Sequence, residues 1–256
     1  MKILTVDIGN SNIVIGCVKD HKVQFVERMN SDRSKTDLEY VIGCKMVLDL
    51  HQIAVDSLDG AIISSVVPQL TDLLSRAIEK LTGIVPLNVG PGIKTGIKLQ
   101  PAGVGADLVV GAVAVLHDYG APAIIIDMGT ATTVTVIDKD ETFIGGVILP
   151  GAAIALSSLV DSTAQLPGIQ LKAPAHVINM GTIDAMQSGV VYGNAGAIDG
   201  IIERMEEELG YPAKVVACGG LAPLIIPHCK HSAVIDDELL LKGLDILFYK
   251  NFKPQK

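Results

Sequence analysis

One short acidic-glycine turn occurs twice in this chain, and it constrains the fold more than any other feature. The first copy reads Val6-Asp7-Ile8-Gly9-Asn10-Ser11-Asn12. The second reads Ile126-Asp127-Met128-Gly129-Thr130-Ala131-Thr132-Thr133. Each follows an apolar strand and leads into another. The two aspartates stand 120 positions apart in 256 residues, about half the chain. A carboxylate at a strand end, then Gly and small hydroxyl or amide side chains, is what a turn needs to hold a metal-bound phosphate. Two such turns at half-chain spacing point to a nucleotide held between two related domains. One copy alone would read more readily as a structural hairpin with Asx-turn chemistry.

The order of elements around the turns repeats as well. Lys2–Ile8 and Asn12–Val18 flank the first turn and Val23–Arg28 follows; Ala123–Met128 and Thr132–Ile137 flank the second and Thr142–Leu149 follows. A helix comes next in each half, from Thr36 to about Gln52 and from Ala152 to about Thr163. A strand, a turn and a second helix complete both copies. Gly60–Pro68 leads into Gln69–Thr82, and Ala213–Leu221 leads into Ala222–Pro227. Further helices are expected at Ala106–Asp118, Ile183–Glu208 and Asp236–Lys250, with a loop over Gly90–Gly105. The result is a mixed α/β fold with two related halves, divided at residues 1–115 and 116–256.

Composition suits that fold and excludes several functions. Aliphatic residues must build the cores, because aromatics are 4% and Trp is absent. A net charge of −8 argues against a nucleic-acid binder, which needs clustered Lys and Arg. No apolar run is long enough for a membrane span, and the N-terminus has no signal-peptide pattern. Cys17, Cys44, Cys218 and Cys229 lack metal or redox spacing, which predicts free thiols in a cytoplasmic protein.

Several residues carry candidate chemistry. Asp7 suits Mg²⁺, which prefers oxygen ligands. The amides of Gly9 to Asn12 suit an anion, since Gly permits close backbone approach. Asp127 suits a cation, and the hydroxyls of Thr130, Thr132 and Thr133 suit phosphate oxygens. Adjacent strand residues face opposite ways, so only part of the threonine cluster can act together. Gly219-Gly220 closes a strand and opens a helix, where an adenine or ribose could meet bare backbone; a tight turn explains it equally well. Asp107, after Gly103-Val104-Gly105-Ala106, is either the N-cap of the next helix or a general base for a substrate hydroxyl. Gly145-Gly146 marks a close backbone approach or a β-bulge.

Together these motifs resemble the type III pantothenate kinase family. Asp7-Ile8-Gly9-Asn10-Ser11-Asn12, Gly105-Ala106-Asp107, Asp127-Met128-Gly129-Thr130-Ala131-Thr132-Thr133 and Gly145-Gly146-Val147-Ile148-Leu149-Pro150-Gly151 carry the likeness. Ser64-Ser65-Val66-Val67-Pro68, Met186-Gln187-Ser188-Gly189 and Gly219-Gly220-Leu221 extend it over nearly the whole chain. The resemblance implies duplicated ribonuclease H-like domains of the actin and sugar-kinase type, with mixed five-stranded sheets. It implies a homodimer that uses ATP and Mg²⁺, with K⁺ or NH₄⁺, to phosphorylate pantothenate in the first step of coenzyme A biosynthesis. Asp107 then matches the catalytic base and Asp127 the monovalent cation ligand. Asp7, Ile8, Gly9, Asn10, Ser11, Asn12, Ile13 and Val14 match the phosphate-binding turn, with Asp7 towards Mg²⁺. Gly129, Thr130, Thr132, Gly219 and Gly220 fall in the ATP site. Gly105, Ala106, Asp107 and Leu108 fall in the substrate site, and Thr182 matches a pantothenate contact that reaches across the dimer.

The chain departs from that family where the acceptor alcohol would bind. Leu108 stands where the pattern Gly-Ala-Asp-Arg has Arg, the residue suited to a carboxylate and polar groups. The segment Ile97-Lys98-Leu99-Gln100-Pro101-Ala102-Gly103 is short and lacks the expected Tyr. Ser11 for Thr, Val134 and Asn179 are smaller departures. These changes keep two other readings in view: a kinase for another small alcohol, such as a nucleoside or sugar, and a non-catalytic nucleotide-binding regulator.

Overall fold

The computed structural model describes residues 1–99 and 103–252. Its strands are β1 (Lys2–Ile8), β2 (Asn12–Lys19), β3 (Lys22–Asn30), β4 (Gly60–Ser65), β5 (Leu87–Asn88), β6 (Lys98–Leu99), β7 (Ala123–Met128), β8 (Ala131–Ile137), β9 (Thr142–Pro150), β10 (Lys214–Cys218) and β11 (Val234–Ile235). Its helices are α1 (Asp37–Leu50), α2 (Pro68–Thr82), α3 (Ala106–Asp118), α4 (Ala152–Asp161), α5 (Thr182–Leu209), α6 (Ala222–Ile225) and α7 (Leu239–Asn251). The chain divides into two units. The first holds β1 to β5 with α1, α2, α3 and α7; the second holds β6 to β11 with α4, α5 and α6.

The sheet of the first unit runs β3-β2-β1-β4-β5. β1 pairs antiparallel with β2 and parallel with β4. Strand alternation sends Leu4, Val6 and Ile8 to one face, with Ile13, Ile15, Ala61 and Ile63. That face packs on Tyr40, Cys44 and Leu48 of α1 and on Leu70, Leu74, Ala77 and Ile78 of α2, whose spacings are single helix faces. α1 starts at a capping box: the Thr36 hydroxyl accepts from the Glu39 N–H, and the Glu39 carboxylate accepts from the Thr36 N–H at 2.7 Å. α2 starts on Pro68 and stops at Gly83, whose φ of 72° is left-handed.

The other face of this sheet carries Ile3, Thr5 and Asp7, and α7 covers it. Gly16 and Gly60 lack side chains because a Cβ there would collide with Leu241 and Phe248 of α7. α3 in turn packs on α7, where a Cβ on Gly243 would collide with the Val110 carbonyl. The C-terminal segment from Glu238 therefore folds with the first unit, although a division of the sequence at 115/116 assigns it to the second. Leu239, Leu241, Leu244, Leu247 and Phe248 are buried there, which is the physical reason the chain returns.

The second sheet runs β11-β10-β7-β8-β9-β6. Read from β9 to β11 it has the strand order of the first sheet, as the repeated sequence predicts. It has six strands rather than the expected five, because Lys98 and Leu99 pair in parallel with Thr142 and Phe143 and cover the β9 edge. β5, β6 and β11 are two residues each, too short to leave a periodic signal. The core lies between β7–β8 and α5, where Ile124, Ile126, Met128, Val134 and Val136 meet Met186, Val190, Ile198 and Ile202. A bulge sits in β9, where Val136 pairs Gly145 and Ile137 pairs Phe143, and Gly146 is also a close backbone approach, since a Cβ there would collide with the Val134 carbonyl. α5 continues for 28 residues through Gly189, Gly193, Gly196 and Gly200.

Candidate active site

In the first unit, the turn after β1 is braced from within. The Gly9 N–H donates to the Asn12 carbonyl at 3.0 Å, so this amide closes the turn rather than facing an anion. Ser31 holds the turn from β3's exit. Its N–H donates to the Ser11 carbonyl at 3.0 Å and its hydroxyl to the Gly9 carbonyl at 2.6 Å. Asn10, Ser11 and Asn12 are exposed on the outside of the turn, while Ile8 and Ile13 are buried at its base and Val14 is half-buried. Asp7 is only 6% exposed and lies on the α7 face between Val14 of β2 and Ser64 of β4. Ser65 points the other way and organises the start of α2: its hydroxyl accepts from the Val67 N–H at 3.0 Å and from the Thr71 hydroxyl at 2.7 Å. Oxygen donors dominate the turn and its flank, which fits a hard cation such as Mg²⁺ and the phosphates it accompanies. Among the described residues no three His, Cys, Asp or Glu side chains form a cage, and a kinase Mg²⁺ needs only one or two carboxylates plus phosphate.

Asp107 belongs to the same unit. α3 begins at Ala106, and the Val109 N–H donates to the Gly105 carbonyl at 3.1 Å, so Asp107 stands inside the first turn and is not the N-cap. Its Oδ1 folds back to accept from the Leu108 N–H at 2.8 Å. Gly105 leaves room for that fold, since a Cβ there would lie 2.7 Å from Asp107 Oδ1. Burial pushes the Asp107 carboxyl above its ordinary pKa, against the pull of the Leu108 and Asp107 backbone N–H groups. A half-buried carboxylate with raised basicity is suited to accept a proton. Leu108 is half-buried beside it. Gln100, Pro101 and Ala102 of the preceding loop lie outside the described residues.

In the second unit, Asp127 is the next-to-last residue of β7 and lies between Thr133 of β8 and Cys218 of β10. Thr133 thus shares its face. Thr132 pairs with Met128 on the opposite face, 2% exposed, with no hydrogen-bond partner for its hydroxyl. Two glycines outside the turn let other backbones close on it. A Cβ on Gly151 would lie 2.8 Å from the Gly129 carbonyl and collide with that of Thr130. Gly219 has φ 94°, and its Cβ would lie 2.7 Å from the Met128 backbone. Gly219 is therefore required by packing, whereas Gly220 faces open space. The helix that Gly219-Gly220 opens, α6, has only four residues, too short to act as an anion-binding helix end. Thr182 opens α5 and is exposed. Thr133 is one of the threonines the sequence singled out, whereas Gly151 was legible only as a member of a longer motif.

A model of the type III pantothenate kinase family matches residues 3–204. That span contains both aspartate turns and Asp107. The chain belongs to the type III pantothenate kinase family. Membership makes it an ATP-dependent kinase of that family, with the use of ATP and Mg²⁺ general to such enzymes. Solved structures agree on the fold. A conserved Baf family protein from Campylobacter jejuni is 20% identical with a TM-score of 0.60, covering 97% of this chain and 98% of that one. A protein designated a 2-dehydro-3-deoxygalactonokinase from Sinorhizobium meliloti is 12% identical with a TM-score of 0.62, covering 99% and 98%. Component A of (R)-2-hydroxyglutaryl-CoA dehydratase from Acidaminococcus fermentans is 11% identical with a TM-score of 0.57, covering 95% of each chain. At such identities the likeness speaks to the fold alone.

Proposed function

We propose that this type III pantothenate kinase family member transfers the γ-phosphate of ATP to the primary hydroxyl of pantothenate, the first step of coenzyme A biosynthesis. Asp107 carries the reading: a half-buried carboxylate, its pKa raised by burial, in the unit that also holds the Asp7 turn. Asp107 accepts the hydroxyl proton as the alcohol oxygen bonds to the γ-phosphorus. The bond from that phosphorus to the bridging oxygen breaks, and ADP leaves. The first turn, with Asn10, Ser11 and Asn12, and the second, with Gly129 and Thr130, orient the phosphates. Mg²⁺ beside Asp7 and K⁺ or NH₄⁺ beside Asp127, when bound, supply positive charge against the triphosphate. Gly220 leaves open space for the nucleoside.

Leu108 favours a second reading, in which the acceptor is another small alcohol such as a nucleoside or sugar. Leu offers no hydrogen bond where the family has Arg, and an unmet polar contact in a buried pocket costs about 1–3 kcal/mol. Pantothenate, nucleosides and sugars assayed with ATP, Mg²⁺ and K⁺, with phosphorylated product read by mass, separate the two. Turnover of pantothenate is expected. No turnover at millimolar pantothenate, with product from another alcohol, would favour the second reading.

The active form is a homodimer in this proposal, and α5 supports it. Thr182, Ala185, Gly189, Gly193 and Gly196 share one helical face by their spacing. A Cβ on Gly189, Gly193 or Gly196 would meet nothing within 4 Å in this chain, although Gly in a helix costs about 1 kcal/mol relative to Ala. Close approach of a second copy accounts for those glycines and brings Thr182 towards the partner's substrate. Exposed Ile148, Ile178 and Met180 in the same unit add apolar area for such a contact. The proposal places the enzyme in the cytoplasm. None of the four cysteines is in a disulfide, and burial pushes Cys17, Cys44 and Cys229 up to about 11. Among the described residues, no helix is long and apolar enough to cross a membrane.

A further inference from the structure

Four buried side-chain atoms among the described residues have no hydrogen-bond partner: Ser64 Oγ, Thr132 Oγ1, Gln187 Oε1 and Asp245 Oδ1. A buried hydroxyl without a partner is destabilising, so a fold that keeps one needs a reason. Ser64 is 0% exposed and stands level with Asp7 on the adjacent parallel strand, which puts both side chains on one face of the sheet. Its neighbours on that face along β4 are Ile62 and Gly60, which offer it no polar group. The nearest chemistry in the register is the Asp7 carboxylate and whatever Asp7 holds.

We propose that Ser64 is a positioning residue of the Mg²⁺-nucleotide site, its hydroxyl serving as the buried hydrogen-bond partner of the hydrated cation at Asp7. The proposal rests on the reading that Asp7 holds Mg²⁺. Mg²⁺ gives up its waters reluctantly and is fixed by hydrogen bonds from those waters to protein oxygens. A serine hydroxyl both accepts and donates, so it can receive a water proton without carrying charge. The second unit offers an internal comparison. Cys218 stands beside Asp127 in the same register as Ser64 beside Asp7. A thiol fills that position where the expected cation is monovalent, and an oxygen fills it where the expected cation is Mg²⁺. The comparison also indicates that Ser64→Cys fits the strand while removing a strong hydrogen-bonding oxygen.

The test combines calorimetric titration of ATP, with Mg²⁺ and with EDTA, and melting of the ligand-free protein. It uses the wild type, Ser64→Ala, Ser64→Cys and Asp7→Asn. Both Ser64 variants are expected to weaken ATP binding about tenfold in Mg²⁺, the scale of a lost outer-sphere partner, and to leave binding in EDTA unchanged. Ligand-free Ser64→Ala should melt about 2–4 °C higher, since an unmet buried hydroxyl has been removed. Equal weakening in Mg²⁺ and EDTA, or a lower melting temperature for both Ser64 variants, would mean that Ser64 only supports packing and would overturn the proposal. If Asp7→Asn removes the Mg²⁺ dependence while both Ser64 variants bind as the wild type does, Ser64 loses its role and Asp7 keeps its own. If Asp7→Asn leaves the Mg²⁺ dependence intact, both fall.

Discussion

Asp107 shows how much one residue's environment matters. Its carboxyl is held above the ordinary aspartate pKa of about 3.9 because burial disfavours the charged form. A base must be ionised to act, so kcat/KM should rise with pH along an acid limb whose apparent pKa lies above that value. Asp107→Asn should lower kcat by about 10²- to 10⁴-fold, the usual contribution of a positioned base. The stability effect runs the opposite way. A carboxyl with a raised folded-state pKa favours folding below its unfolded pKa, and that contribution disappears as pH rises through the folded pKa. Asp107→Asn, which does not ionise, should therefore lose less stability than the wild type as pH rises, read as melting temperature against pH. A variant that is both inactive and less stable at pH 7 would mark Asp107 as structural. The sequence left Asp107 between helix cap and base; a helix that starts one residue earlier removes the cap.

Among elements, α5 separates what a helix needs from what a surface needs. Its interior glycines lower helix propensity, yet it runs unbroken because Met186, Val190, Ile198 and Ile202 are fixed in the core. Glycine at 193 serves nothing inside this chain. Gly193→Ala should therefore leave the monomer's melting temperature unchanged or raise it, by up to about 1 kcal/mol in stability. The same change should weaken self-association measured by sedimentation equilibrium, because a methyl group enters the closest helix approach. A wild-type protein that sediments as a monomer would remove the dimer. An unchanged association constant would move the interface elsewhere. α1 and α2, in contrast, could be read almost completely from sequence, since their caps, Thr36 with Glu39 and Pro68 with Gly83, are local signals.

At the scale of the whole molecule, α7 ties Leu239–Asn251 to the first strand. Leu239, Leu241, Leu244, Leu247 and Phe248 are each at most 1% exposed. Each contributes about 1.5–3 kcal/mol on burial. Five together are comparable with the net stability of about 5–15 kcal/mol that a whole protein has. A chain ending at Asp237 should therefore lose cooperative unfolding of the first unit in urea. Leu244→Ala, a milder change, should cost about 2–5 kcal/mol. Melting of the truncated chain at the wild-type temperature would contradict this account. α7 has a legible apolar pattern, so its existence could be predicted from sequence. Its destination could not, because nothing local says which sheet a helix will cover.

The duplication is written in the residues alone: two Asp-Gly turns at half-chain spacing, each within the same run of strands and helices, because strand alternation, caps and turn glycines are short-range physics. So is the family, because those turns occur in one order together with Gly105-Ala106-Asp107. Which threonine shares a face with Asp127, which glycines are forced by a neighbouring backbone, and where α7 packs became visible in the folded chain. The reason is the same in each case. Register across strands and contact between distant segments depend on residues far apart in the chain, such as Asp7 with Ser64 and Met128 with Gly219.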